Sequence, residues 1–105
     1  MNKISVLAID LGGESGRVIK MDFDGVKFYL EEIHRFPNLP VEASGTTYWD
    51  VLSLWREIQS GIAKSSSVNS LGVDSWGVDF ALLDCHGKLL SNPLHYRDKC
   101  SEGMM

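Results

Sequence analysis

The sequence predicts an α/β domain that opens on three antiparallel strands, crosses over through one helix and returns to a strand beside the first. Residues 17–23 and 26–36 alternate apolar and polar side chains with the period of two that suits a half-buried strand. Turn-forming residues, Gly12-Gly13 ahead of the first run and Asp24-Gly25 between the two, join successive strands as hairpins. Positions 51–64 then place Val51, Leu54, Trp55, Ile58 and Ile62 at helical spacing, ahead of another apolar run at Leu71. The order is βββαβ.

The 105 residues are the size of one small domain, and 44% hydrophobic content with ten Phe, Trp and Tyr can fill one modest core. A net charge of −4, with its ten Lys and Arg scattered, argues against nucleic acid as a partner, because phosphate-backbone binding needs clustered cations. No apolar run approaches the ~20 residues of a membrane span, and Met1 to Ile9 lacks a signal-peptide pattern, so a cytoplasmic protein is expected. Cys85 and Cys100 have neither C-x-x-C spacing nor companion ligands and are expected to be free thiols.

Taking the elements in order, Ile4 to Ile9 is an apolar run expected to be buried on both faces. Asp10 therefore stands at a strand's carboxyl end, where open α/β sheets place their ligands. A carboxylate there points to a metal or phosphate site. Gly12, Gly13 and Gly16 allow positive φ and close approach to a bound group, and successive amides in such a turn form an anion-binding concavity. Ser15 adds a hydroxyl and Arg17 a cation. The spacing is neither G-x-x-x-x-G-K-[ST] nor G-x-G-x-x-G, and both of those loops lead into a helix. Here a strand follows, with Ile19, Met21 and Phe23 on one side and Val18, Lys20 and Asp22 on the other. A phosphate-gripping hairpin of this kind is characteristic of the actin-like ATPase, or ribonuclease H-like, fold of sugar kinases, Hsp70-type chaperones and actin. An ordinary glycine-rich hairpin beside an aspartate would use the same residues, so the loop alone leaves both readings open.

Beyond Asp24-Gly25, Val26, Phe28 and Leu30 continue the alternation to about Phe36, completing a three-stranded meander. Glu31, Glu32, His34 and Arg35 form a solvated strand end, with His34 structural. Pro37 and Pro40 end the strand, and Val41 to Tyr48 is expected to be a loop. Asp50 occupies the N-cap of a helix over 51–64, and Trp49 and Trp55 are expected to pack as core or helix-docking residues. Ser65 to Ser67 end the helix. A right-handed crossover sets the strand at Leu71 parallel to the first, bringing Asp74 to Gly77 to the edge that carries Asp10. Val78 to Leu83 is expected to continue as another strand before the turn Asp84-Cys85-His86-Gly87. Asp74 and Asp79 lie inside apolar runs, and a carboxylate so placed caps a turn, faces water or binds a ligand. A sugar would offer them hydroxyl groups, and Trp76 an apolar face.

Several segments together resemble a known family: Ile9 to Arg17, Glu32 to Asn38, Trp49-Asp50, Leu71 to Asp84, and Asn92 to Asp98 with its H-Y-R-D run. They are similar to the amino-terminal portion of the rhamnulokinases, within the FGGY carbohydrate kinases; D-S-W-G-V-D-F followed by H-Y-R-D is the more particular part. The resemblance implies ATP-dependent phosphorylation of L-rhamnulose at its 1-hydroxyl, with Mg²⁺, in a cleft between two actin-like domains. It matches Gly13, Glu14, Ser15, Gly16 and Arg17 to the ATP phosphate loop that begins at Gly12. Asp10 matches the carboxylate organising Mg²⁺ and phosphate, and Gly77 matches a sugar-contacting position. Trp76, Asp74 and Asp79 are sugar-site candidates by adjacency.

Gly13-Glu14 departs from the small pair usual in the family, so Glu14 is expected to point away from the γ-phosphate or act through the metal. The resemblance puts the general base, an aspartate, and the adenine pocket outside these residues. Residues 1–105 are accordingly expected to be the first part of the first actin-like domain of a two-domain kinase, inactive alone. Leu82, Leu83, Leu89, Leu90 and Leu94 are expected to be exposed and to favour self-association. Another FGGY kinase with a different ketose or polyol, or a non-catalytic actin-like binding module, would share these features.

Overall fold

The computed structural model describes residues 3–95. Four strands form one sheet in the order β3-β2-β1-β6, where β1 is Ile4–Leu11, β2 Ser15–Phe23, β3 Phe28–Pro37 and β6 Ser70–Asp74. The first three strands pair antiparallel, and β6 lies parallel to β1 with Asp74 opposite Asp10. The crossover between them is α1, Val51–Lys64. Its start follows the local chemistry: the Asp50 carboxylate accepts from the Ser53 N–H at 3.2 Å, satisfying one of the first-turn donors that the helix cannot pair. At its other end the Ser65 N–H donates to the Ile62 carbonyl, and Ser65 takes an extended conformation.

The core sits between α1 and one sheet face and comprises Leu7, Ile9, Val18, Phe36 and Leu54. Burying each such side chain contributes about 1.5–3 kcal/mol relative to exposure. The helix approaches the sheet closely at Gly61, where a Cβ would lie 2.5 Å from Val18 Cγ2. Along β1 only Ser5, Leu7 and Ile9 are buried, whereas Val6 and Ala8 are half-covered and Ile4 is exposed. The expected burial of both faces is therefore corrected to one, because among the described residues a helix covers only one side. On β2 it is Val18 that enters the core, while Ile19, Met21 and Phe23 occupy the half-covered face.

Other expectations change with tertiary context. The β2–β3 turn spans Asp24 to Lys27, so Val26 lies outside the strand. Asp24 Oδ1 accepts from the Val26 and Lys27 amides, which, with the Lys27 contribution larger, hold its carboxyl below the usual carboxylate range. The expected loop at 41–48 is a small hairpin, β4 Val41–Ala43 and β5 Thr46–Tyr48, because Ser44 and Gly45 both take the positive φ that suits a tight turn. Trp55 is 54% exposed and does not dock the helix; Leu54 and Gly61 mark the buried stripe.

Val78 to Leu83 is not a strand. Val78 sits at φ +68°, which breaks an extended run, and only an isolated Leu83–Leu89 bridge precedes and follows the turn at Asp84 to Gly87. That turn forms as expected, with Asp84 Oδ1 accepting from the His86 and Lys88 amides. Leu82, Leu83, Leu90 and Leu94 are exposed, while Leu89 is half-buried. Cys85 is exposed and free; Cys100 and the end of the H-Y-R-D run lie outside the described residues. No helix among the described residues is long and apolar enough to cross a membrane.

Candidate functional site

The β1–β2 register builds the first half of the site. Leu11 pairs with Gly16 and Asp10 with Arg17, so the chain reverses through Gly12 to Ser15, closed by the Gly12 N–H donating to the Ser15 carbonyl at 2.9 Å. Residues directly opposite on antiparallel strands present their side chains to the same face. Arg17 Nη2 accordingly donates to Asp10 Oδ2 at 2.5 Å. Both side chains are more than a third exposed, which limits such a pair to about 0–1 kcal/mol of stability. Its consequence is orientation: the carboxylate at the end of β1 is held against the Arg17 guanidinium of β2, and neither side chain lines the cleft beside the turn.

None of Gly12, Gly13 and Gly16 takes a positive φ, contrary to the expectation for this loop. Two of them serve close approach instead. A Cβ on Gly16 would lie 2.3 Å from the Phe36 ring, and one on Gly12 would lie 3.0 Å from the Ser15 carbonyl oxygen. A Cβ on Gly13 would meet nothing within 4 Å, so that position borders open space. Glu14 is exposed at the tip.

Sequence reasoning missed Asn38. Its backbone N–H donates to the Glu14 carbonyl at 2.9 Å and its Nδ2 to the Gly12 carbonyl at 2.8 Å, so one residue holds the turn at two points. Asn38 is only 2% exposed, and its Oδ1 is buried without a partner among the described residues. An unmet buried acceptor costs about 1–3 kcal/mol. The usable signal was position: β3 runs beside β2 with Pro37 opposite Ser15, so the next residue falls against the turn. Only the sheet order makes that visible. Together the turn and the Asn38-Leu39-Pro40 segment, with His95, enclose an open cleft of about 730 Å³.

The second half of the site lies beyond β6. Asp74 ends that strand opposite Asp10 and is exposed, as expected from the crossover. Gly77 is exposed, and a Cβ there would meet nothing within 4 Å. Asp79 is not a free carboxylate: its Oδ2 accepts the indole N–H of Trp49 at 2.5 Å and that of Trp76 at 2.8 Å. Hydrogen bonds to an ionised acceptor are the stronger kind, and two on one oxygen fix both rings. Trp49 is buried, tilted over Trp76 with ring centroids 4.1 Å apart and stacked on His95 at 4.2 Å. Since His95 borders the cleft, the stack runs from the Gly12–Ser15 turn toward Trp76 and Gly77. His34 belongs to the fold and not to the site, its ring lying between Glu57 Oε2 at 3.1 Å and Lys64 Nζ at 2.9 Å on α1.

No family model matches the chain. Among known proteins, it is 44% identical to the rhamnulokinase of Bacteroides thetaiotaomicron, over 96% of this chain and 22% of that protein. It is 40% identical to the rhamnulokinase of Mannheimia succiniciproducens, over 100% and 23%, and 43% identical to that of Halalkalibacterium halodurans, over 94% and 22%. The chain thus spans about a fifth of the length of the curated relatives it matches. Among solved structures, gluconate kinase from Lactobacillus acidophilus superposes with a TM-score of 0.70 at 14% identity, covering 98% of this chain and 22% of that one. A carbohydrate kinase from Novosphingobium aromaticivorans gives 0.68 at 25% identity, covering 88% and 20%. The fold is the actin-like ATPase fold of the FGGY carbohydrate kinases. By sequence along nearly its whole length and by that fold, the chain is similar to about a fifth of a rhamnulokinase, and through it to the FGGY carbohydrate kinases.

Proposed function

We propose that these residues form the opening part of the first actin-like domain of a cytoplasmic, two-domain kinase that uses ATP and Mg²⁺ to phosphorylate L-rhamnulose at its 1-hydroxyl. The observation that carries the reading is the chain-long similarity, at 40–44% identity, to three rhamnulokinases. The geometry supports its phosphate half. The cleft beside Gly12 to Ser15 is open, Gly13 leaves room for a close neighbour, and among the described residues the Gly13 and Glu14 amides have no acceptor. Backbone amides at such a turn suit an anion.

Asp10 fits a Mg²⁺ that arrives with the nucleotide, because this ion is usually bound through one or two carboxylates plus substrate phosphates. Among the described residues no three His, Cys, Asp or Glu converge into a protein-only metal cage. When bound, the ion neutralises charge on the transferring phosphoryl group. In this reading Arg17 orients Asp10, the turn amides hold the phosphates, and Gly77 lets the sugar approach the backbone beside Trp76, Asp74 and Asp79. The aspartate that would take the hydroxyl proton lies elsewhere in the longer protein. The 105-residue chain alone should then consume no ATP on addition of L-rhamnulose, because an alcohol is a poor nucleophile until its proton is removed. Its exposed apolar residues, Leu71 and Val73 on β6 with Val78, Phe80, Leu82, Leu83 and Leu90 beyond it, favour self-association, which light scattering checks against a clean monomer.

The activity is tested by grafting these residues in place of the matching segment of the B. thetaiotaomicron rhamnulokinase and assaying a sugar panel. Preferential phosphorylation of L-rhamnulose is expected. Preference for another ketose or a polyol would move the chain to a different FGGY kinase, and an active panel with no preference would sink the substrate assignment.

A further inference from the structure

Asn38 lies outside every segment to which a ligand role was given, yet it touches the phosphate turn twice. An anion-binding turn has to present amides and turn its carbonyls away, since a carbonyl oxygen repels a phosphate oxygen. Around this turn three carbonyls, those of Gly12, Glu14 and Ser15, are occupied. That of Ser15 accepts from the Gly12 N–H, that of Glu14 from the Asn38 backbone N–H, and that of Gly12 from Asn38 Nδ2. The Gly13 and Glu14 amides are left without an acceptor among the described residues. The other end of the Asn38 side chain gains nothing: its Oδ1 is buried without a partner among the described residues, so the amide costs stability where an apolar side chain would not. What the side chain supplies is the single N–H that captures the Gly12 carbonyl.

We propose that Asn38 is a positioning residue for the phosphate turn, setting its polarity by holding the Gly12 and Glu14 carbonyls away from the cleft so that the Gly13 and Glu14 amides face the polyphosphate of a nucleotide. This rests on the phosphate-loop reading but not on the identity of the sugar. The ligand chemistry is a polyphosphate anion, whether inorganic or carried on a nucleoside.

The test uses the 105-residue chain, inorganic tripolyphosphate and ATP as separate probes, calorimetric titration for affinity, and thermal unfolding for stability. Asn38→Ala should weaken both probes by at least tenfold and by the same factor, because the adenosine is not what Asn38 serves. The melting temperature should change by no more than a few degrees, since removing the side chain also removes its unmet oxygen. Amide hydrogen exchange at Gly12, whose N–H donates to the Ser15 carbonyl, should quicken in the same variant. A residue with only a structural role would shift melting and leave the affinity of the folded protein unchanged. Should Asn38→Ala fail to fold, Asn38→Leu keeps about the same volume and the backbone bond to Glu14 while removing the Nδ2 donor without adding a charge, and it should lose binding equally. Wild-type affinity in either folded variant would overturn the proposal, as would absence of tripolyphosphate binding to the unaltered chain. Failure of the sugar assignment would appear instead in the grafted enzyme's substrate panel, with tripolyphosphate binding here intact.

Discussion

Between Leu11 and Gly16 the chain reverses inside a sheet, with paired residues on both sides and a third strand alongside; between Asp74 and Leu94 it leaves the sheet and is held at a few polar points. In the first region the backbone register dictates which side chains meet, and Asp10 faces Arg17 because the strands allow nothing else. In the second, placement depends on side chains: Asp79 on two indoles, Asp84 on its own turn, a stack of Trp49 with His95. Catalytic groups that need fixed geometry are better carried by the first kind of scaffold, while the second leaves space for a ligand to shape.

The comparison is tested most severely at Asp10. In the grafted enzyme, Asp10→Asn should lower kcat by about a hundredfold or more, as when a group stabilising developing charge is lost, with sugar KM little changed. Turnover near that of the unaltered graft would show that register alone does not make a functional carboxylate.

A stability contrast comes next. Gly16→Ala forces a methyl into the Phe36 ring, and overpacking of this kind costs about 1–3 kcal/mol. In a chain of this size each kcal/mol lowers Tm by roughly 4–8 °C. Gly13→Ala and Gly77→Ala meet open space, and surface changes of that sort usually stay within about 0.5 kcal/mol. Equal melting of the three variants would erase the distinction between a packed turn and an open one.

The smallest expected effect separates ligand from ligand. Gly77→Val should raise the grafted enzyme's KM for L-rhamnulose several-fold more than its KM for ATP, because the side chain enters the space proposed for the sugar and not that proposed for phosphate. A matched rise in both would place Gly77 between the two ligands and merge the regions.

What could be read from the sequence follows the same division. The helix was legible to its ends because its signals are local: an Asp50 carboxylate within reach of the Ser53 amide, and serines after Lys64. The parallel return of β6 and the meeting of Asp10 with Asp74 followed from crossover handedness. Trp55 was not legible, since helical spacing says which residues share a face and not how wide the covered stripe is. The non-strand at Val78 turns on one positive φ that an apolar run hides. Glycines 12 and 16 serve close packing and not positive φ, and the Phe36 ring over Gly16 is a contact between strands that no local pattern announces. Asn38 was hidden for the same reason.

The parallel pairing of β6 with β1 also bears on the order in which the molecule assembles. Leu11 and Gly16 are five positions apart, whereas the bond from the Ser5 amide to Asn69 Oδ1 closes a separation of 64. Loop-closure entropy makes the longer closure costlier by roughly 2 kcal/mol. Contacts that close short loops form sooner when nothing else distinguishes them. The meander carrying the Gly12–Ser15 turn should therefore gain protection ahead of β6, so that a growing polypeptide acquires the side proposed for phosphate before the side proposed for the sugar. Pulsed hydrogen exchange during refolding would resolve the sequence of events: protection at Val18 should precede protection at Val73, and simultaneous protection would mean that the sheet condenses as one unit.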